Sequence, residues 1–246
     1  MSDRLEGTVL VTGAAGGIGS EVAAILERRD CRVIAADLAA DAPCREPISL
    51  DVTDDAAVAS VVESFGPLDG LVLAHGLTSL GPAVGTGVDA ARKVIEVNLL
   101  GAISVATAAL PGLIERRGRI AVMSSVAGFA PLVHRTAYSA SKHGLHGLFE
   151  SLDAEQPEVS VTMVAPTFTA TGIEDRAVHR AEGDQGDWST TGEILQAIEV
   201  AEAVVRGMDE RAPLVLPSKT SRNAHRLHRL APNTYRKIMR RRVLGD

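Results

Sequence analysis

Apolar positions along the chain fall into short runs of strand length, which are separated by longer segments with helical spacing. Residues 8–12, 31–36 and 68–74 are mostly apolar, as is typical of strands buried on both faces of a parallel sheet. Between the first two runs, residues 19–29 carry apolar side chains three and four positions apart. Strands that alternate with helix-length segments predict βαβ units and a parallel sheet.

The rest of the chain repeats this alternation. Further strands are predicted at residues 47–50, 118–124, 159–165 and 213–216, and further helices at residues 54–65, 89–116, 138–154 and 193–208. Residues 172–191 are polar with little periodicity, so we interpret them as a mobile loop or lid, with or without a short helix. The pattern fits either an open, doubly wound sheet or a closed (β/α)8 barrel.

A glycine-rich turn, TGAAGGIG at residues 12–19, joins the first strand to the first helix. Its glycines let the backbone approach a pyrophosphate, towards which the helix N-terminus would point. The predicted contacts are Gly13, Ala15, Gly17, Ile18 and Gly19. Because this turn lies between a strand and a helix, it favours a dinucleotide site over an ordinary tight turn. It also favours the open sheet, and we predict a single-domain, Rossmann-like doubly wound parallel α/β fold of about seven strands with helices on both faces.

Charge divides the chain into two parts. The whole chain has a formal net charge of −6, yet residues 219–242 contain nine Lys or Arg and no acid. We predict a dinucleotide-binding and catalytic domain at residues 1–218, and at residues 219–246 a basic helical tail, split by Pro232, that packs on the domain or extends from it. The acidic body argues against nucleic-acid binding. Contact of the tail with an anionic membrane surface is an alternative to packing on the body or on a partner subunit.

Cysteine content and apolar run length bear on the cellular setting. Cys31 and Cys44 are too few for a disulfide framework or a zinc site, so we expect no metal and a reduced, cytoplasmic location. Residues 1–7 show no signal peptide. We also expect no apolar run to reach the roughly 18 residues that a membrane span needs.

Asp37 closes the second predicted strand, 18 residues after Gly19. A carboxylate at this place accepts hydrogen bonds from the adenosine ribose of NAD and repels the 2′-phosphate of NADP. Neither Ala14, Ala15 nor Leu38 supplies a positive charge for that phosphate. We predict NAD as the cofactor, although in isolation Asp37 also fits a turn or a helix cap.

Tyr138 and Lys142 are four residues apart on a predicted helix and share one face. A nearby ammonium group lowers the pKa of a phenol, which suits Tyr138 to proton exchange with a substrate oxygen. Taken alone, such a pair is usually a surface pair, and it gains meaning only from its neighbours.

Those neighbours make the chain resemble the classical short-chain dehydrogenases/reductases. The matching pieces are TGAAGGIG at 12–19, Asp37, Asp51-Val52, Asn98 in VNLLG, Ser125 in MSSVAG, and YSASK at 138–142. The resemblance implies an oxidoreductase that moves a hydride between NAD and a small carbonyl or secondary alcohol substrate. It also implies a homo-oligomer, which we expect to be a dimer through helices 89–116 and 138–154.

The resemblance also assigns roles. Tyr138 would be the general acid/base, and Lys142 would hold the nicotinamide ribose and lower the tyrosine pKa. Ser125 would orient the substrate oxygen, and Asn98 would interrupt its helix and hold a water in a proton relay. The remaining cofactor contacts would be Asp51, Val52, Ala74, Gly76, Pro166 and Thr171. Structural alternatives exist for several of them: Ser125 as a strand-end cap, Asn98 as a buried amide and Asp51 as a turn former.

Three departures from the family pattern stand out. After the fourth strand, Leu73-Ala74-His75-Gly76 stands where Asn-Asn-Ala-Gly is usual, and for His75 we favour a structural substitution over a cofactor contact. Thr167 replaces a glycine after the sixth strand, and the basic tail replaces a glycine-rich ending. Residues 77–87, 133–135 and 172–191 are expected around the substrate. For Arg135 we favour a solvent-facing side chain over contact with an anionic group of the substrate. Because of these departures, an NAD(H)-binding regulator or membrane-surface protein with little catalysis is the alternative function.

Overall fold

The computed structural model describes residues 4–39, 42–175, 177–179 and 193–244, with side chains up to residue 241. Within these residues, seven parallel strands form one open sheet in the order β3-β2-β1-β4-β5-β6-β9. The strands are β1 (Thr8–Thr12), β2 (Arg32–Asp37), β3 (Glu46–Ser49), β4 (Gly70–Leu73), β5 (Arg119–Met123), β6 (Ser160–Val164) and β9 (Leu214–Val215). The predicted doubly wound sheet is confirmed. The closed barrel is excluded, since β3 and β9 are not paired with each other.

Helices cover both faces of the sheet. They are α1 (Gly17–Glu27), α2 (Asp55–Phe65), α3 (Ala83–Ile95), α4 (Gly101–Arg116), α5 (Thr136–Glu155) and α6 (Ala197–Asp209). Side chains alternate between the faces of a strand: Val9 and Val11 of β1 lie in the core with α1 and α6. Leu10 lies in the opposite core, which α2, α4 and α5 cover. Burial on both faces explains why the strands are apolar runs.

Strand β1 pairs with β2 on one side and with β4 on the other. The strands that follow β1 in the chain are therefore added first on one side of it and then on the other. In open parallel sheets, ligands bind beyond the carboxyl ends of the strands at such a switch point. The glycine-rich turn follows β1 at this place. The topology therefore puts the predicted dinucleotide site in the crevice between β1 and β4.

The helix predicted at residues 89–116 is longer and is interrupted. Gly87 has a non-helical backbone inside α3, and a π-helical turn (Glu96–Leu100) separates α3 from α4. The whole stretch Ala83–Arg116 contains an 18-residue window with a mean hydropathy of 1.8, enough by length and composition for a membrane span. The expectation that no such stretch exists was wrong. Its apolar composition has another explanation, because α4 packs on the sheet through Ala102, Val105 and Leu113.

The end of the chain forms two helices, α7 (Lys219–Leu230) and α8 (Pro232–Leu244). Pro232 is the first residue of α8, where a missing N–H costs no helical hydrogen bond, so the predicted split is confirmed. Tyr235 and Met239 of α8 pack against Val126 and Ala130, which follow β5. A second, two-stranded sheet pairs β7 (Thr169–Ala170) with β8 (Leu195–Gln196). The predicted loop or lid at 172–191 falls largely on residues 176 and 180–192, which lie outside the described residues.

Candidate active site

The glycine-rich turn is shaped by close backbone contacts. A Cβ on Gly19 would lie 2.1 Å from the carbonyl oxygen of Gly13. Gly13 itself has a φ of +70°, and a Cβ there would lie 2.5 Å from the backbone nitrogen of His75. Only glycine fits both positions. Gly16, the N-cap residue of α1, carries no side chain to cap the helix, so the first N–H groups of α1 are open to an anion.

Two carboxylates mark the outer part of the crevice, beyond the ends of β2 and β3. Asp37 accepts hydrogen bonds from the backbone N–H groups of Ala15 at 2.9 Å and Leu38 at 2.8 Å, which ties the glycine-rich turn to β2. Asp51 is exposed and accepts hydrogen bonds from the backbone N–H and the hydroxyl of Thr53. These two bonds hold the pKa of Asp51 below its ordinary value. Asp51 therefore shapes its turn, as the predicted structural alternative requires, and its contact with a cofactor stays a prediction.

Helix α5 and the end of β5 bring three predicted catalytic side chains together. Tyr138 and Lys142 lie one turn apart on α5 and are 9% and 4% exposed. The ammonium of Lys142 donates a hydrogen bond to the Met123 carbonyl at 2.6 Å and lies 5.7 Å from the centre of the Tyr138 ring. The hydroxyl of Ser125 forms a hydrogen bond with Tyr138. It also accepts one from the backbone N–H of Ala127 at 3.2 Å, as the predicted alternative of a cap requires.

Burial has the largest effect on the pKa values of Tyr138 and Lys142. It raises the pKa of Tyr138, while the charge of Arg135 and the hydrogen bond from Ser125 act in the opposite direction. Burial also lowers the pKa of Lys142 to about 8. The charge of Arg135 therefore favours the phenolate, and the expected lowering of the tyrosine pKa by Lys142 stays a prediction.

Asn98 lies in the π-helical turn and is 1% exposed. Its amide accepts a hydrogen bond from the Leu77 N–H at 2.7 Å, and donates to the Leu77 carbonyl at 2.9 Å and the Ser141 hydroxyl at 3.0 Å. A Cβ on Gly76 would lie 3.3 Å from the Asn98 side-chain oxygen and 3.7 Å from the Lys142 ammonium. Asn98 thus interrupts its helix as expected, and it adjoins Lys142 across Gly76. Its role in a proton relay stays a prediction.

The departures from the family pattern have structural explanations. Nδ1 of His75 lies 2.6 Å from the hydroxyl of Thr12, which joins the ends of β4 and β1. Burial, together with the charge of Lys142, lowers the pKa of His75 to about 3, so the ring is neutral. The hydroxyl of Thr167 lies 3.1 Å from that of Ser218, directly before α7. Thr167 therefore contacts the segment that begins the C-terminal helices.

A cavity of about 660 Å³ opens beside Tyr138. Among the predicted site residues, it is lined by Ser125, Tyr138, Lys142, Ile18, Ala74, Gly76, Pro166 and Thr171. The other predicted cofactor contacts are not part of its lining: Gly13, Ala15, Gly17, Gly19, Asp37, Asp51 and Val52. Thr171 faces Gly17, whose added Cβ would lie 3.1 Å from the Thr171 Cβ. The cavity and the crevice are thus continuous at the start of α1.

Arg135 lies in the cavity wall and is 7% exposed, so the expectation of a solvent-facing arginine was wrong. Its guanidinium pairs with the Glu174 carboxylate and lies 5.2 Å from the centre of the Phe168 ring. Of the segments expected around the substrate, Gly172 to Asp175 line the cavity. Residues 77–87 and 133–134 are not part of its lining.

Sequence reasoning missed one wall of the cavity. It is formed by the C-terminal helices through Thr220, Asn223, Ala224, Leu227, Tyr235, Ile238 and Met239. The available signal was the apolar spacing on α7 and α8, because Leu227, Tyr235, Ile238 and Met239 interrupt an otherwise basic sequence. That spacing predicts a buried face but not the surface that it meets.

Comparisons with known proteins agree with this geometry. The family model for short chain dehydrogenase matches residues 7–182. A protein from Anopheles gambiae named dehydrogenase/reductase SDR family protein 7-like is 32% identical, over 96% of this chain and 82% of its own length. Dehydrogenase/reductase SDR family member 7B from Bos taurus is 28% identical, over 96% and 81%.

The fold is also similar to that of proteins with solved structures. A short chain dehydrogenase from Burkholderia cenocepacia, crystallised in complex with NADP, superposes with a TM-score of 0.84 over 96% of this chain and 98% of that one. At 22% identity, this likeness concerns the fold alone. The family model, the relatives and the arrangement of Ser125, Tyr138 and Lys142 lead to one conclusion: the chain belongs to the short chain dehydrogenase family.

Proposed function

We propose that this protein is an NAD-dependent oxidoreductase that transfers a hydride between the nicotinamide and a carbonyl or secondary alcohol, with Tyr138 as the acid/base. The observation that carries the proposal is the cluster of Ser125, Tyr138 and Lys142 at the wall of the 660 Å³ cavity. The cofactor's ring supplies or accepts the hydride when it is bound.

The residues of the crevice fit a dinucleotide. The turn at Gly13 and Gly19 has room for hydrogens but not for side chains, and the N-terminus of α1 is free of a side-chain cap. A pyrophosphate needs both features. Asp37, at the end of β2, would hold the adenosine ribose, and Lys142 the nicotinamide ribose.

Proton transfer is assigned to Tyr138. In carbonyl reduction, the substrate carbon gains the hydride and its oxygen takes the hydroxyl proton of Tyr138; in alcohol oxidation, the phenolate takes the proton back. The Ser125 hydroxyl holds the substrate oxygen within reach of Tyr138. The positive charges of Lys142 and Arg135 stabilise the phenolate, since an opposite charge nearby favours the ionised form.

The choice of NAD over NADP rests on Asp37. Its carboxylate is held by the N–H groups of Ala15 and Leu38, where a 2′-phosphate would meet a like charge. The Burkholderia cenocepacia protein of the same fold was crystallised with NADP, so the fold alone does not decide between the two cofactors. A family member that binds NAD(H) without useful catalysis is not favoured, because Ser125, Tyr138 and Lys142 are all present and adjacent.

The experiment is a panel of ketones, aldehydes and secondary alcohols, measured side by side with both nicotinamide cofactors. We expect turnover with NADH or NAD to exceed that with NADPH or NADP.

Tyr138→Phe is expected to lower kcat by roughly 10²- to 10⁴-fold and to leave the Kd for NADH within about twofold of the native value. Asp37→Ser is expected to shift the preference towards NADPH, whereas Asp55→Ser, at the start of α2, leaves it unchanged. Full turnover by the Phe variant refutes the role of Tyr138, and tight NADH binding without any turnover refutes catalysis.

A further inference from the structure

We propose that the substrate carries a large, uncharged, apolar body, which lies between the catalytic residues and a roof formed by the C-terminal helices. The roof is defined here as α7 (Lys219–Leu230) and α8 (Pro232–Leu244). The proposal rests on the proposed function and names the substrate class for the same site.

The inner face of the roof is apolar and faces the cavity. Ala224 and Leu227 are three positions apart on α7 and both line the cavity, as do Tyr235, Ile238 and Met239 on α8. Residues at this spacing share one face of a helix. Other apolar side chains continue the lining around the rest of the cavity: Val126, Leu132, Phe168, Ile173 and Ile194.

The roof is fixed to the body by specific contacts. Tyr235 and Met239 are buried against Val126 and Ala130. The Phe129 ring meets the His225 ring edge-on, with centroids 5.0 Å apart. The Ser218 hydroxyl accepts the Ser221 N–H at 2.9 Å and so caps α7. These contacts fill part of the apolar inner face, while Leu227 and Ile238 remain at the cavity and available to a ligand.

Charge at the cavity does not select an ionic substrate. Up to residue 241, where the described side chains end, the lysines and arginines of the roof are exposed, and none of them is among the residues that line the cavity. Arg135 in the wall is neutralised by Glu174, and Asp175 and Glu193 at the cavity are exposed acids. An anionic substrate would displace Glu174 or face these carboxylates, whereas an apolar body meets the side chains of the roof at no electrostatic cost.

The size of the cavity supports a bulky substrate. A volume of about 660 Å³ lies within the range of sites that bury drug-sized ligands. Ile18, Gly76 and Thr171 border the cavity, and under the proposed function they would hold the nicotinamide. The roof borders the other part, which a short-chain ketone alone would leave largely unfilled.

The test is a series of unbranched methyl ketones from butan-2-one to dodecan-2-one. Their Kd values for the protein in the presence of NAD are measured by calorimetry, because the oxidised cofactor permits no reduction of a ketone. We expect the Kd to fall by up to about fourfold for each added methylene, the equivalent of ~0.8 kcal/mol, until the cavity is filled. The kcat/KM values with NADH are expected to rise in parallel.

Two variants of α7 form a matched pair. Leu227→Ser removes an apolar side chain from the cavity, whereas Leu230→Ser alters a side chain that is 82% exposed on the same helix and does not line the cavity. We expect Leu227→Ser to flatten the dependence of Kd on chain length, with a larger rise in the Kd for dodecan-2-one than in the Kd for butan-2-one. Leu230→Ser is expected to behave like the native protein.

The outcomes distinguish failure of the apolar-substrate proposal from failure of the proposed oxidoreductase function. A flat series in the native protein or an unchanged series in Leu227→Ser overturns the apolar substrate. Methyl ketones with a terminal carboxylate are measured in the same way, and tighter binding of these than of neutral ketones of equal length also overturns it. A steep calorimetric series without turnover supports the apolar site and overturns the oxidoreductase function. Turnover of butan-2-one with a flat series supports the oxidoreductase and overturns the roof as a binding surface.

Discussion

Lys142 shows how a single residue couples the chemistry of the site to the stability of the fold. Its ammonium is buried beside Tyr138 and donates a hydrogen bond to the Met123 carbonyl. Burial lowers its pKa from the ordinary value of 10.5 to about 8. The folded protein therefore holds this proton less tightly than the unfolded chain does, and the protonated lysine costs stability at neutral pH.

Replacing Lys142 with methionine tests this linkage. The cost of the buried ammonium is complete below pH 8 and fades as the pH rises from about 8 to about 10.5. Lys142→Met is therefore expected to raise the free energy of unfolding at pH 7 by up to about 3 kcal/mol, and the gain is expected to shrink towards pH 10.5. Denaturant titrations across this pH range measure it. Lys93→Met, which changes a half-exposed lysine of α3, is the control, and a gain that does not depend on pH contradicts the argument.

At the scale of elements, the π-helical turn joins two parts of the site. Asn98 in this turn bonds the backbone of Leu77 twice and the hydroxyl of Ser141 once. It thereby fixes α3 and α4 against α5 and against the segment that follows β4. A π-helical turn is costly on its own and persists where such partners stabilise it.

Asn98→Leu removes all three hydrogen bonds and leaves the partly buried N–H and carbonyl of Leu77 without them. We expect a loss of roughly 2–4 kcal/mol in the free energy of unfolding, measured by chemical denaturation. Asn233→Leu, at an exposed position of α8, provides the comparison and is expected to change stability little. A loss below about 1 kcal/mol for Asn98→Leu would show that the turn does not depend on its amide.

The roof offers a second prediction at this scale. Ser218→Ala removes the cap of α7 and the contact with Thr167, which is expected to cost about 1 kcal/mol. Amide hydrogen exchange in α7 should then become about fivefold faster, whereas exchange in α2 stays unchanged. The variant Thr234→Ala, at an exposed position of α8, is expected to leave the exchange of α7 as it is. Equal acceleration in α2 would instead indicate global destabilisation.

The strands were predictable from sequence because both of their faces are buried and their apolar runs are continuous. The site residues at the carboxyl ends of the strands could be placed once the glycine-rich turn at residues 12–19 had indicated an open sheet. The π-helical turn was not predictable as such, because Asn98 is stabilised by Leu77 and Ser141, which are distant in sequence. The sequence likewise left open whether the basic C-terminal helices pack on the domain or extend from it, because burial of Tyr235 depends on the tertiary position of Val126 and Ala130.

Over the whole molecule, the charges are strongly separated. Sixteen basic and 30 acidic residues precede Lys219, whereas nine basic residues and one acid, Asp246, lie from Lys219 onward. Among the described residues, no ion pair joins the roof to the body. The outer face of the roof is therefore a positive region beside the site of an otherwise acidic protein. The dimer and the cytoplasmic location stay predictions.

This separation has a kinetic consequence for an anionic dinucleotide. The acidic body repels the cofactor, while the exposed arginines of α7 attract it towards the cavity, since surface fields change association rates. The double variant Arg226→Gln/Arg229→Gln is expected to lower the association rate of NADH about two- to tenfold at low ionic strength, with a small change in dissociation rate.

Stopped-flow fluorescence of NADH measures both rates. Arg28→Gln/Arg116→Gln removes the same charge from the ends of α1 and α4, near the opposite, amino-terminal edge of the sheet, and is expected to leave the association rate almost unchanged. The difference between the two variants should vanish at about 0.5 M salt, where the screening length falls well below the roughly 10 Å found at 0.1 M. A slower association that persists at high salt would mean that Arg226 and Arg229 act by direct contact with the cofactor or through the shape of the roof, and not through their long-range field.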